Sequence, residues 1–148
     1  MCNSTTLLDF YKNCQQRLKL IMASQNSQFL GYDASTKTLT RLDSTQNLLI
    51  KDQPLSGLIE KCIEKRHIVE VAEPTREISY NPSLDLMTDL SLLTVPIIDH
   101  ESQNVIGVFQ VINLVNDVER SYEKINWIDK EVVDFLCEII EKCLKRFK

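Results

Sequence analysis

The sequence predicts a mixed α/β domain built on a buried antiparallel hairpin, and three features carry that prediction. Residues 91–116, SLLTVPIIDHESQNVIGVFQVINLVN, hold two apolar runs around a short polar segment. Each end of the chain carries an apolar stripe at helical spacing, and between the ends lie short strand-like runs separated by turn residues. Along the first arm of the hairpin Leu93, Val95 and Ile97 alternate with Leu92, Thr94, Pro96 and Ile98. Along the second, Val105, Phe109 and Val111 alternate with Ile106, Val108 and Ile112. Neither face is polar enough to lie against water, so both must be covered by other elements. Residues 99–104 supply the turn, and Gly107 just inside the second arm marks a bulge or a close backbone approach.

The remaining elements follow in order. Over residues 5–23, Leu7, Tyr11, Cys14, Leu18 and Ile21 recur at alternating steps of four and three, the signature of an amphipathic helix, with Ser4 or Thr5 able to cap its first turn. Residues 27–33 and 38–42 read as two strands joined by the polar turn 34–37, and residues 47–51 add a short strand. Pro54 is expected to open a second helix, PLSGLIEKCIEKR, since proline is tolerated in a first turn. A strand over 67–72 precedes an irregular stretch, 73–90, too long for a simple connector and therefore the first place to look for a ligand. Residues 117–124 read as a charged loop, and a last helix runs from Trp127 almost to the end with two apolar stripes. One contains Ile128, Val132, Phe135 and Ile139; the other contains Val133, Leu136, Ile140, Cys143 and Phe147. One sheet needs one stripe, so the second needs another partner.

The chain of 148 residues, 43% hydrophobic and 26% charged, suits one core and a single domain over 1–148. With a formal net charge of -4 and basic residues scattered outside the tail, no nucleic-acid partner is expected. No run approaches the roughly 18 apolar residues that span a bilayer, and the first residues lack the pattern of a signal peptide, so the expectation is a cytoplasmic protein with no membrane partner. The five cysteines, Cys2, Cys14, Cys62, Cys137 and Cys143, form no CxxC pair and lie away from both histidines at ligand spacing. No metal and no cofactor are expected, and the helical cysteines read as small buried apolar thiols.

Several segments in this order resemble the GAF domain, the α/β sensory module of phosphodiesterases, histidine kinases, adenylyl cyclases and phytochromes. Gly57-Leu58-Ile59 to Arg66 resembles the helix before the family's third strand, and Tyr80-Asn81-Pro82-Ser83-Leu84-Asp85 its Phe-Asn-Pro-x-x-Asp loop. The runs from Ser91 to Ile97 and from Ile106 to Asn113 resemble its central hairpin. The resemblance spans nearly the whole chain. It implies an α+β fold with a central antiparallel sheet of five or six strands, both terminal helices on one face and the long loop over the other, where any ligand would sit. It also implies a comparison with the cyclic-nucleotide-binding signature Asn-Lys…Phe-x-x-x-Asp-Glu. Asn113 and Asp129 match it, while Leu114, Ile125 and Lys130 replace the Lys, Phe and Glu. The supporting Lys–Asp ion pair cannot form, so the motif is degenerate.

The fold leaves the function open, and the residues must decide. Family members that reduce free methionine sulfoxide or attach tetrapyrroles use cysteines in the pocket region; here no cysteine lies between Cys62 and Cys137. His67 and His100 have no nucleophile beside them in sequence, and Glu60 with Glu64, or Asp134 with Glu138, read as solvated helix surface. No enzymatic activity is expected. A small-molecule sensor of cyclic-nucleotide type would draw on Arg76, Tyr80, Thr94 and Gln110 as its pocket. The favoured reading is a protein-interaction or dimerisation module of a larger signalling or cytoskeletal assembly. It would pair with a second copy or another protein through the terminal helices, with Ile140, Leu144 and Phe147 left exposed as the interface and the basic tail, Lys142, Lys145, Arg146 and Lys148, orienting the partner. Phe135 is expected in the core shared with Leu7, Leu18 and Val132.

Overall fold

The structure, a computed structural model, describes residues 6–21, 26–43, 45–88, 91–112 and 122–147, with side chains from 131 onward in the last segment. The order of elements is α1 (Leu7–Ile21), β1 (Ser27–Asp33), β2 (Thr38–Asp43), β3 (Leu48–Pro54), α2 (Gly57–Lys65), β4 (Val69–Val71), a single 3-10 turn (Pro74–Arg76), β5 (Leu92–Ile98), β6 (Val105–Ile112) and α3 (Tyr122–Lys145). Among the described residues six strands form one antiparallel sheet in the order β3-β2-β1-β6-β5-β4, with the β5–β6 hairpin inside it. α1 lies over β1 and β2, and α3 over β5, on one face; α2 covers β5, β6 and β4 on the other. This is the arrangement the hairpin demanded, since all eight residues of β6 and six of seven in β5 are buried.

One core lies under the terminal helices and contains Phe10, Cys14, Leu18, Phe29, Val95, Phe109, Leu136 and Ile140. The other lies under α2 and contains Leu30, Leu58, Ile59, Cys62, Leu92 and Val108. The expected alternation along β6 is inverted at its start. Val105 belongs to the α2 core and Ile106 to the terminal-helix core, because the β5–β6 register slips between Ile97 opposite Gly107 and Ile98 opposite Val105. A bulge adds one residue to one strand, so every side chain beyond it changes face. Gly107 is the close approach its position suggested: a Cβ there would stand 3.0 Å from a Phe29 ring carbon and 3.1 Å from the Leu30 carbonyl oxygen.

Local rules decided some boundaries and tertiary contacts decided others. Thr6 accepts a hydrogen bond from the Asp9 N–H (3.1 Å) and so caps α1; Ser4 and Thr5 lie outside the described residues. Pro54 does not open α2. It ends β3, an edge strand, opposite Thr38, where the missing N–H leaves no gap inside the sheet. α3 begins at Tyr122, so part of the segment read as a charged loop is its first turn. Cys14, Cys62 and Cys137 are free, whereas Cys143, expected as a thiol, is disulfide-bonded and fully buried. Among the described residues no helix is long and apolar enough to cross a membrane.

Candidate functional site

Two surfaces compete for function, the α2 face and the terminal-helix face. On the α2 face the register places Gln28, Gln110 and Thr94 in one row across β1, β6 and β5. Polar residues in a buried row must satisfy one another or be satisfied by a ligand. Here the chain satisfies them. The Gln110 amide nitrogen donates to Thr94 Oγ1 (3.0 Å) and Asp85 Oδ1 (2.9 Å), and its oxygen accepts from Gln28 Nε2 (2.6 Å) and the Leu86 N–H (3.0 Å). Gln28 Nε2 also donates to the Leu84 carbonyl (2.9 Å).

Asp85 is the centre of this network. Its Oδ2 accepts from the Leu58 N–H (2.8 Å) and the Asn81 N–H (2.9 Å), and its Oδ1 from the Ile59 N–H (3.2 Å) as well as from Gln110. The carboxylate therefore sits on the N-terminus of α2, where free amides and the helix dipole both favour negative charge. Ser56, at the conventional capping position, makes no side-chain bond to the helix; its hydroxyl instead accepts from Asn81 Nδ2 (2.9 Å). Gly57 makes room. It has φ +70°, and a Cβ there would fall 2.2 Å from Asp85 Oδ2.

The four residues expected to form a ligand pocket divide accordingly. Thr94 and Gln110 touch and are fully buried. Tyr80 is linked to them through the loop backbone, its hydroxyl donating to the Leu86 carbonyl (2.9 Å) and accepting from the Thr88 N–H (3.0 Å). Arg76 stands apart on the surface, 3.0 Å from Glu73. Asn113 and Leu114 of the degenerate motif lie outside the described residues, and so does the side chain of Asp129.

The thiols are chemically quiet. Burial pushes Cys62 and Cys137 up to about 12 and raises Cys14 further, so all three are protonated at neutral pH and poor nucleophiles. No group of three or more potential metal ligands occurs among the described residues.

The terminal-helix face is different. The structure corrects the expected interface: Ile140 and Leu144 are buried, and Phe147 packs on Phe10 with ring centroids 5.6 Å apart. Phe135, expected in the core, is 61% exposed. The stripe containing Val133, Leu136 and Ile140 is therefore the one turned to the sheet. The rotation of α3 is held by the β5–β6 turn. Glu141 accepts from the His100 backbone N–H (2.9 Å) and pairs with the His100 ring, while Lys145 reaches Asp99 (2.8 Å) and Glu141 (3.3 Å). Burial opposes ionisation of Glu141, but the His100 and Lys145 contacts outweigh it and lower its pKa; the Lys145 ammonium, helped by turn donors, brings Asp99 down to about 2. Lys145 is thereby turned inward, away from the expected basic tail, and Lys142 pairs with Glu138 (3.2 Å).

What α3 leaves outward is an apolar groove of about 440 Å³ between it and α1, lined by Arg17, Ile21, Val132, Phe135 and Ile139, with Glu131 on its rim. Ile21 is 52% exposed, and Leu20 beside it 71%. Amphipathicity gave two equal stripes on α3; the contacts of Glu141, at a position no motif marks, select between them.

No protein-family model matches the sequence, and no curated protein does. Solved structures do. The GAF domain of a phosphoenolpyruvate-protein phosphotransferase from Acinetobacter superposes with a TM-score of 0.72 over 97% of this chain and 85% of its own, at 15% identity. The GAF domain of a two-component sensor histidine kinase from Bacillus halodurans gives 0.60 over 98% and 100%, at 18% identity. The free methionine-R-sulfoxide reductase of Neisseria meningitidis, solved with its substrate, gives 0.65 over 98% and 81%, also at 18% identity. The chain has the GAF fold. At these identities the likeness is one of architecture, and the site residues carry the rest.

Proposed function

We infer that the protein is a non-catalytic regulatory module of a signalling assembly, and that it works by pairing with a second copy through the α1–α3 groove. The observation that carries this reading is the exposed apolar surface of Ile21 and Phe135, which both line that groove. Large apolar side chains gathered on one exposed face mark an interaction surface more often than a bare one. The groove also carries Arg17 from α1 and Glu131 from α3. A two-fold axis running along the groove would bring the Arg17 wall of one copy towards the Glu131 wall of the other, and in that geometry the surface is complementary to itself in charge as well as in apolarity. The quiet thiols support the absence of catalysis, and the self-satisfied row under α2 supports interaction over small-molecule sensing.

The test is mass in solution by light scattering across the micromolar range. The wild type is expected to approach twice the monomer mass as concentration rises, and Phe135→Glu to remain monomeric with an unchanged circular dichroism spectrum. A wild type that stays monomeric at high micromolar concentration would overturn self-pairing. Calorimetry is expected to find no saturable binding of cyclic AMP or cyclic GMP; saturable binding of either would favour a sensor instead.

A further inference from the structure

The α2 face contains a polar site whose occupant belongs to the chain itself. We propose that Asp85 is a built-in ligand: its carboxylate fills a carboxylate-binding site made by the Leu58, Ile59 and Asn81 N–H groups and the Gln110 amide, and residues 73–88 are the strap that delivers it. The proposal goes beyond the pairing reading and does not depend on it, because it concerns the opposite face of the sheet.

Three features distinguish this site from an ordinary helix cap. The donors come from three separated parts of the chain, the first turn of α2, the loop and β6, and converge on both oxygens of one carboxylate. Asp85 is 26 to 27 residues from the helix amides it receives, so no local turn forces it there. The space it occupies exists because residue 57 is a glycine, whose Cβ would fall 2.2 Å from Oδ2. Among the described residues the strap's polar tethers to the sheet include the Leu86 N–H to Gln110 and the Leu84 carbonyl to Gln28, both part of the same row; its apolar anchors are the buried Pro74 and Leu84, with Tyr80 and Leu86 packed on the α2 core. Beyond the carboxylate the strap exposes Ile78 and Met87, which contribute little to holding it down. Asp85 is thus a positioning residue for the whole loop. The site's chemistry, three backbone amides and one side-chain amide around a single anionic group, is that of a small monocarboxylate receptor closed in cis.

Chemical rescue tests this directly. Asp85→Gly removes the carboxylate and leaves its volume, and the melting midpoint is expected to fall by about 6 to 10 °C. Sodium formate or acetate at 100 mM is expected to recover at least half of that loss relative to sodium chloride at the same ionic strength. The same salts should leave the wild type unchanged. In Asp85→Gly combined with Gly57→Ala the added methyl occupies the carboxylate position, and the recovery is expected to vanish. Absence of a formate-specific recovery in Asp85→Gly, or an equal recovery in the double variant, would overturn the proposal. If Asp85→Gly does not fold in chloride, refolding in formate against chloride gives the same reading. If it folds in neither, hydrogen exchange of the Leu58 and Ile59 amides in Asp85→Asn decides. Protection equal to wild type would show that the carboxylate is not what these amides hold; exchange at least tenfold faster supports the site.

Discussion

Replacing Gln110 by Leu tests how much of the fold's stability rests on the buried polar row. The two side chains are close in volume, so packing changes little and the lost hydrogen bonds dominate. Four contacts disappear, those to Thr94, Asp85, Gln28 and the Leu86 N–H. They are not equal. Gln28 keeps the Leu84 carbonyl, and Asp85 Oδ1 keeps the Ile59 N–H, so neither is orphaned. The Leu86 N–H loses its acceptor in a half-buried setting, and an unsatisfied donor there costs about 1 to 2 kcal/mol. The charge-assisted bond to Asp85 adds about 1.5 to 3 kcal/mol, and the extra apolar burial of Leu offsets about 1 kcal/mol. The expected net loss is about 1.5 to 4 kcal/mol. Thr94→Val removes only the neutral bond to Gln110 and is expected to cost about 1 kcal/mol. Urea denaturation of both variants should find the larger loss in Gln110→Leu, and the Leu86 amide should exchange faster in Gln110→Leu alone. A Gln110→Leu variant as stable as wild type would refute the reasoning, because it would mean that water or a rearranged loop serves these groups equally well.

The rotation of α3 gives a second contrast. Phe135→Ala is expected to change stability by less than about 1 kcal/mol, whereas Phe10→Ala, which empties a fully buried site, should cost about 3 to 5 kcal/mol by the same urea measurement. The thiols make a third: with Cys62 and Cys137 held up at about 12, native protein at pH 8 should react with a thiol reagent at these positions far more slowly than unfolded protein does. Rapid native labelling of either would place it on the surface. A fourth concerns acid. Asp99 and Glu141 both have folded pKa values below their unfolded ones, so their contribution is complete above about pH 4.5 and is lost as pH falls, for Asp99 towards about 2. Lys145→Met removes the partner of both, and its destabilisation should be largest at neutral pH and shrink below pH 4; a constant difference down to pH 2 would contradict the pairing.

The hairpin was legible because burial on both faces leaves a pattern that few other elements leave, and Gly107 announced the bulge that the register shows. The consequence of that bulge, the exchange of Val105 and Ile106 between cores, was not, since alternation was carried straight through it. Thr94 and Gln110 could be singled out as polar residues in apolar strands, and the sheet does bring them together. Asp85 could be named only as part of a loop resembling that of GAF domains. Capping rules look three or four residues ahead, and its partners on α2 lie 26 and 27 residues away. Pro54 misled for a related reason: its tolerance in a first helical turn is equal to its tolerance on an edge strand, and only the sheet order distinguishes them. The stripe of α3 that would face outward was undetermined by periodicity, because both stripes are apolar and the choice rests on Glu141 and Lys145 meeting the β5–β6 turn.

Self-pairing through the α1–α3 groove is tested most directly by charge reversal across it, read by sedimentation equilibrium. Arg17→Glu and Glu131→Arg alone should each weaken association at least fivefold, with a wild-type fold, and the two together should restore it to within about twofold of wild type at low salt, where exposed charges are least screened. Single variants that associate as the wild type does, or a double variant weaker than either single one, would contradict the groove as the pairing surface.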